Sequence, residues 1–213
     1  MKAQAFDIIH AASVALQDDG TRWPAAELVR YLNDGQRQLA ALRPAEVAVS
    51  ITFTPVAGGR QELPVDAMTL LEVRCNSEGR KAALTQVDRH MLEAVEPHWA
   101  SLTPTVSPAH YMYSPLEPRV FYLYRPVSVD ARIELTYARY PADVATPAGT
   151  TAADVTGETA VEAKWGNALR DYVLYRAYAK DAEYAGNAQL AAGYFAAFND
   201  AVKAGAAPAA PSS

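Results

Sequence analysis

The feature that most constrains this chain is a change of hydrophobic period. On the N-terminal side of Arg43-Pro44, apolar residues recur at helical spacing, with Leu28, Leu32, Gly35, Leu39 and Leu42 forming a 4-3-4-3 stripe. From Val47 to Tyr140 the period becomes two, as in VSITFTP, where Val49, Ile51 and Phe53 alternate with polar residues. Beyond residue 157 the helical period returns. A strand segment inside helical ends predicts an α+β fold. Helices from the two ends pack as one bundle, and an antiparallel β-rich lobe is inserted between them.

The elements follow from local signals. Residues 2–17 read as a first helix, with Phe6, Ile9, Ser13 and Leu16 near one face. Asp18-Asp19-Gly20 reads as a loop and cap rather than a metal site. Trp23-Pro24 opens a second helix, with proline suited to the first helical position. Arg43-Pro44 closes it, because the residue before a proline is driven out of the helical region. Gly35 sits inside the stripe and implies close approach by a neighbouring backbone.

In the middle segment, VSITFTP and RQELP flank Ala57-Gly58-Gly59 as a hairpin, and LLEVRCN and RKAALTQ flank Ser77-Glu78-Gly79 as a second. A short helix is expected near Thr85 or Asp88. RVFYLYRP and ARIELTYARYP are the strongest strands; Phe121 and Leu123 face one side of the first, and Val120, Tyr122 and Tyr124 the other. Pro97 to Pro118 reads as a long proline-rich loop. Residues 141–157 read as a linker, followed by a helix over about 158–185 and a last helix to about Val202. In that last helix Leu190, Tyr194, Ala197, Phe198 and Ala201 share a face. The domain expectation is thus a bundle from 1–46 and 158–202, a β-rich insertion over 47–157, and a flexible tail over 203–213.

Chemistry is sparse. The 213 residues carry a net charge of −5 and no Lys/Arg-rich block, which argues against a strong grip on duplex phosphates. The single cysteine, Cys75, has no disulfide partner, as expected of a protein made in a reducing cytoplasm, and reads as a small thiol within a strand. His10, His90, His98 and His110 show no metal-ligand spacing, and no phosphate loop or nucleophile elbow occurs. No stretch approaches the ~20 apolar residues of a membrane span, and the N-terminus lacks the apolar run of a signal peptide. No cofactor, metal or catalytic residue is expected.

The stretch ALRDYVLYRAYAKDAEYAGN (168–187) is unusual in placing aromatics around a helix. At about 100° per residue, Trp165, Leu169, Tyr172 and Ala179 gather on one side, and Leu174 and Tyr178 on the other. The second face needs a cover, either the β lobe or another subunit. Arg176 falls on the first face and, if buried, needs a carboxylate or carbonyls, for which Asp7 or Glu27 would serve.

RWPAAELVRYLNDGQRQLAALRP (22–44) and LRDYVLYRAYAKDAEYAGNAQLAAGYFAAF (169–198), together with the first helix, resemble the head-to-tail adaptor (connector) proteins of tailed bacteriophages. In short-tailed phages these are also called tail tubular or gatekeeper-type proteins. The resemblance implies a structural virion protein without catalysis, made in the bacterial host cytoplasm. It implies a ring, commonly of twelve copies, between the portal protein and the tail or nozzle. DNA would pass through the lumen during ejection without specific binding, and no membrane is involved. On that reading Leu174, Tyr175 and Tyr178 contact a neighbouring protomer or the portal. Tyr111 and Tyr113, in the loop 101–118, meet the tail or an adjacent subunit. The tail with Pro208 and Pro211 docks into the portal. The alternatives are a ligand-binding module or enzyme using Arg176, His98 and Tyr172 between bundle and lobe, and a regulatory interaction protein of a host cell.

Overall fold

The computed structural model describes residues 1–77, 81–181, 183 and 185–205. In chain order the elements are β1 (Lys2–Gln4), α1 (Ala5–Leu16), α2 (Ala25–Leu42), β2 (Ala48–Phe53), β3 (Gly58–Glu62), β4 (Ala67–Asn76), β5 (Thr85–Gln86), α3 (Arg89–Val95), β6 (His110–Tyr113), β7 (Val120–Val127), β8 (Ile133–Arg139), β9 (Glu158–Glu162), α4 (Gly166–Lys180) and α5 (Ala185–Ala204). The fold is α+β. The chain divides into two compact units, residues 1–46 with 141–213, and residues 47–140.

In the first unit α4 packs against α1, α2 and α5. The α1 stripe is Ala5, Ile8, Ile9, Ala12 and Leu16. Phe6, expected on that face, lies outside it, exposed and stacked on His10. Two helix starts differ from expectation. Residues 2–4 and 158–162 are strands, and β1 and β9 pair antiparallel. ETAVE buries Thr159 and Val161 at a period of two, so the pairing overrides the helical reading there. Trp165 closes a short 3-10 turn, and α4 begins at Gly166.

α2 begins one residue after Pro24 and buries Leu28, Leu32, Gly35 and Leu39, while Leu42 is half exposed. Gly35 is approached by a ring rather than by backbone. A Cβ there would lie 2.9 Å from Cδ1 of Tyr172. The Asp18 carboxylate accepts backbone N–H bonds from Gly20, Arg22 and Trp23, which builds the loop before α2.

Residues 141–157, grouped with the insertion on composition, belong to the helical unit. The physical reason is that they satisfy its buried polar groups. Asn33 exchanges two hydrogen bonds with the Val144 backbone, at 2.9 and 3.0 Å. The Thr150 carbonyl accepts from the Ala25 N–H at 2.8 Å, and Gly157 accepts from Ala5 at 3.0 Å. Both acceptors therefore serve first-turn donors that α1 and α2 cannot satisfy internally. Gln36, fully buried, bonds Asn33 and accepts from the Ala160 N–H at 2.6 Å.

The second unit holds two sheets, ordered β2-β8-β4 and β3-β7-β6-β5. All pairings are antiparallel except the two-residue β5 against β6. One core joins them, with Leu70 and Val73 of β4 and Ile133, Leu135 and Tyr137 of β8 meeting Tyr111 of β6 and Phe121, Leu123 and Val127 of β7. The first expected hairpin does not form, because β2 and β3 lie in different sheets. The fully buried Gln61 side chain accepts from the Val56 N–H and donates to the carbonyls of Val56 and Gly58. It thereby closes this turn in place of a ladder. In the second, Asn76 N–H bonds Ala82 and Leu84 N–H bonds Arg74, so the chain does return antiparallel along β4. Glu78 and Gly79 of that turn lie outside the described residues. α3 forms where expected, with Asp88 accepting from the Met91 N–H at 2.9 Å as its cap. The stretch 97–118, expected as loop throughout, contains β6 and a 3-10 turn at Trp99–Ser101.

Candidate functional site

The aromatic helix turns its rings toward two of the three helices it packs against. Toward α2, Tyr172 and Leu169 close over Gly35. Toward α5, three ring pairs run down an antiparallel helix pair. These are Tyr172 with Phe198 at 5.1 Å, Tyr175 with Phe195 at 4.7 Å, and Tyr178 with Tyr194 at 5.8 Å, the last stacked with parallel planes. Such contacts add about 0.5–1.5 kcal/mol each beyond burial. Of the second face of α4, Tyr178 is thus covered by α5, within its own unit. Leu174 is 1% exposed, and Tyr175 and Tyr178 are half-buried.

A lattice of charge runs along α2 and α4. Arg176 donates to Asp34 at 2.9 Å and lies over the Tyr31 ring at 4.9 Å. Asp34 also takes Arg37 at 3.0 Å, and Arg37 clasps Asp143 at 2.6 and 2.7 Å. Lys180 and the Tyr31 hydroxyl share the carboxylate of Glu27. Burial, and then the adjoining Glu27 carboxylate, push the Tyr31 hydroxyl up to about 12. The carboxylate serving Arg176 is therefore Asp34, and Glu27 is taken by Lys180. Arg176 is committed to its own helix pair and Tyr172 is buried, while His98 is exposed in the other unit.

Tyr111 and Tyr113 lie on β6, not on a loop. Tyr111 is 6% exposed and belongs to the core of its unit. The Tyr113 hydroxyl is 2.6 Å from Thr69 Oγ1 and donates to the Pro118 carbonyl at 3.3 Å. Cys75 is half-buried, 3.5 Å from a Glu134 oxygen. Burial, and then that carboxylate, push its thiol up, away from the thiolate a nucleophile needs. Pro208 and Pro211 lie outside the described residues, and so does most of the expected 203–213 tail. Among the described residues no group of three or more His, Cys, Asp or Glu is placed to hold a metal ion, and no helix is long and apolar enough to cross a membrane.

The surface that sequence reasoning missed is the outside of α5. Its buried stripe is Ala191, Phe198 and Val202. Leu190, assigned to that stripe, is 46% exposed, and Phe195 is 38% exposed. A shallow groove of about 360 Å³ is lined by Gly186, Gln189, Leu190, Gly193, Tyr194 and Ala197. Residues 185–199 contain no Asp, Glu, Lys or Arg. A surface helix normally carries charge on its solvent face. The missing charge was the available signal.

This is a helical unit with an inserted two-sheet unit, whose distinctive surface is an uncharged helix face rather than a polar pocket. The family described as SU10 adaptor protein matches residues 3–212, so the chain belongs to that family, consistent with a phage head-to-tail adaptor. No curated protein matches the chain.

Proposed function

We propose that the protein is a structural head-to-tail adaptor that forms a ring between the portal and the tail and continues the channel for DNA. The observation that carries the reading is the family match across nearly the whole chain. The α5 surface supports it, because a ring protomer has neighbours on two sides and needs apolar surface beyond its own core. We place the principal assembly contact on Leu190, Gly193 and Ala197 of α5, with Tyr175 and Tyr178 of α4 supporting it from beneath. An acidic chain with net charge −5 suits a lumen through which DNA must slide without being held. Pro208 and Pro211 remain the proposed portal anchor, and Tyr113 a proposed contact to the tail.

Sedimentation velocity of the purified protein, alone and mixed with the portal ring of the same phage, tests this. The expected result is one saturable complex carrying several copies per portal. A folded, assembled portal that leaves the protein sedimenting unchanged would defeat the adaptor placement.

A further inference from the structure

A sheet edge is a row of unpaired backbone donors and acceptors, and proteins normally protect such rows. Among the described residues, the edges other than β2 carry a recognisable protection, β1 being only three residues long and opening on an exposed lysine, Lys2. On β3 the register shifts between Gly58 and Arg60, and an exposed Arg60–Glu62 ion pair follows. β4 has three register shifts, and residues 82–84 bond back along it. β5 is two residues long. β9 is sealed by the buried Gln36 side chain, which takes the Ala160 N–H.

The β2 edge has none of these. AVSITF pairs with β8 through six consecutive positions, Ala48↔Ala138 to Phe53↔Ile133, without a shift. It contains no charge, proline or glycine. Among the described residues, no backbone N–H or C=O of residues 48–53 has a partner other than β8. No side chain of this strand is fully buried; Val49, Ile51 and Phe53 are only partly covered, though they pack on the core of the unit. The strand is a regular, uncharged template whose apolar row is unfinished.

We propose that β2 pairs antiparallel with β2 of a second copy of this chain across a two-fold axis. The sequence is self-complementary in this arrangement. In antiparallel ladders, directly opposite residues share a face. Centring the axis on Ile51 sets Ile51 against its own copy, Val49 against Phe53, and Ser50 against Thr52. Apolar residues then meet apolar residues on one face, hydroxyls meet hydroxyls on the other, and no like charges face each other. The result is a six-stranded sheet, β4-β8-β2 continued by β2-β8-β4 of the partner. A two-fold contact closes on itself and does not propagate a ring. It therefore describes the free protein, is separate from the α5 contact, and does not rest on the adaptor reading.

Sedimentation velocity of the full-length chain over a concentration series, without portal, tests the pairing. The wild type should pass from monomer to dimer as concentration rises. Ser50→Lys, a charge on the exposed face of the edge strand, should weaken the dimer at least tenfold while leaving the melting temperature close to wild type. Leu190→Asp should leave it intact. Should Ser50→Lys fail to fold, amide hydrogen exchange on the wild type reads the same contact, as protection at residues 48–53 that rises with protein concentration. A wild type that stays monomeric, a dimer that survives Ser50→Lys or is lost in Leu190→Asp, or protection independent of concentration would each overturn the proposal.

Discussion

At the scale of single residues, the helical unit depends on shape at Gly35 and on charge at Glu46. Gly35 is where the α2 backbone admits the Tyr172 ring, which also packs edge-on against Phe198. A Cβ at Gly35 would already crowd the ring, so Gly35→Val overpacks the site. We expect destabilisation of about 1–3 kcal/mol, read as a lower urea midpoint with an unchanged slope. Glu46 accepts from the Trp165 indole at 2.9 Å and pairs with Lys164 at 2.8 Å. Burial raises its carboxyl, but the bonds from Lys164 and Trp165 outweigh burial and hold it below its ordinary 4.5. A depressed carboxyl contributes stability that is present above its unfolded value and lost as pH falls through its folded value. The stability gap between wild type and Glu46→Gln should therefore be full at neutral pH and close as pH falls below 4.5. Urea titrations from about pH 6 to about pH 3 check this, and a gap constant across that range would show the pair to be uncoupled from folding. The Arg176–Asp34 pair invites no such claim, since both side chains are more than a third exposed and such pairs contribute about 0–1 kcal/mol.

At the scale of elements, what was legible in the sequence was the period, and what was not was the partner. The α2 stripe up to Leu39, a short helix near Asp88 and the Phe121/Leu123 face of β7 follow from local spacing, and these stand, while Leu42 falls outside the buried stripe. β9 was read as helix because ETAVE runs directly into a helical pattern, and only its pairing with β1 makes it extended. β6 was hidden among prolines that mark a loop by composition, yet HYMY fits between β5 and β7. β2 and β3 looked like a hairpin because the turn chemistry was right; the Gln61 side chain that closes the turn is not a local signal. The same limit applied to α4. Its two apolar faces were evident, and the β lobe or another subunit was expected to cover Leu174 and Tyr178, but Tyr178 packs on Tyr194 of α5 within the same unit. The structure makes the α4–α5 contact an energetic centre. Phe198 is fully buried between Tyr172 and its neighbours, so Phe198→Ala should cost about 3–5 kcal/mol. Thermal unfolding followed by circular dichroism reads that loss, and near-wild-type melting would mean that α5 adds little to the helical unit.

At the scale of the whole molecule, the change of period sets a helical segment apart from a β segment, while the exposed, uncharged α5 face was not singled out in the sequence. The boundary at Glu46 and Val47 coincides with the change of period. The other boundary was misplaced because 141–157 has the composition of a linker, while its backbone supplies acceptors to α1 and α2. Of the expected interface residues, Leu174 and Tyr111 are buried within their units, Tyr113, Tyr175 and Tyr178 are half-buried, and Pro208 and Pro211 lie outside the described residues. The surface left over is α5, where exposure and absence of charge coincide. This separates stability from assembly. Leu190 is 46% exposed and stands outside the buried stripe, so Leu190→Asp should leave the melting temperature near wild type. In the complex, the same change would place a carboxylate in an apolar contact without a partner, a desolvation penalty of several kcal/mol. The expected outcome is a folded protein whose binding to the portal ring is weakened at least a hundredfold in sedimentation velocity. Phe198→Ala should reduce binding only as far as it unfolds the chain. Equal portal binding by wild type and Leu190→Asp would remove α5 from the contact and return the assembly surface to Tyr113 and the C-terminal segment.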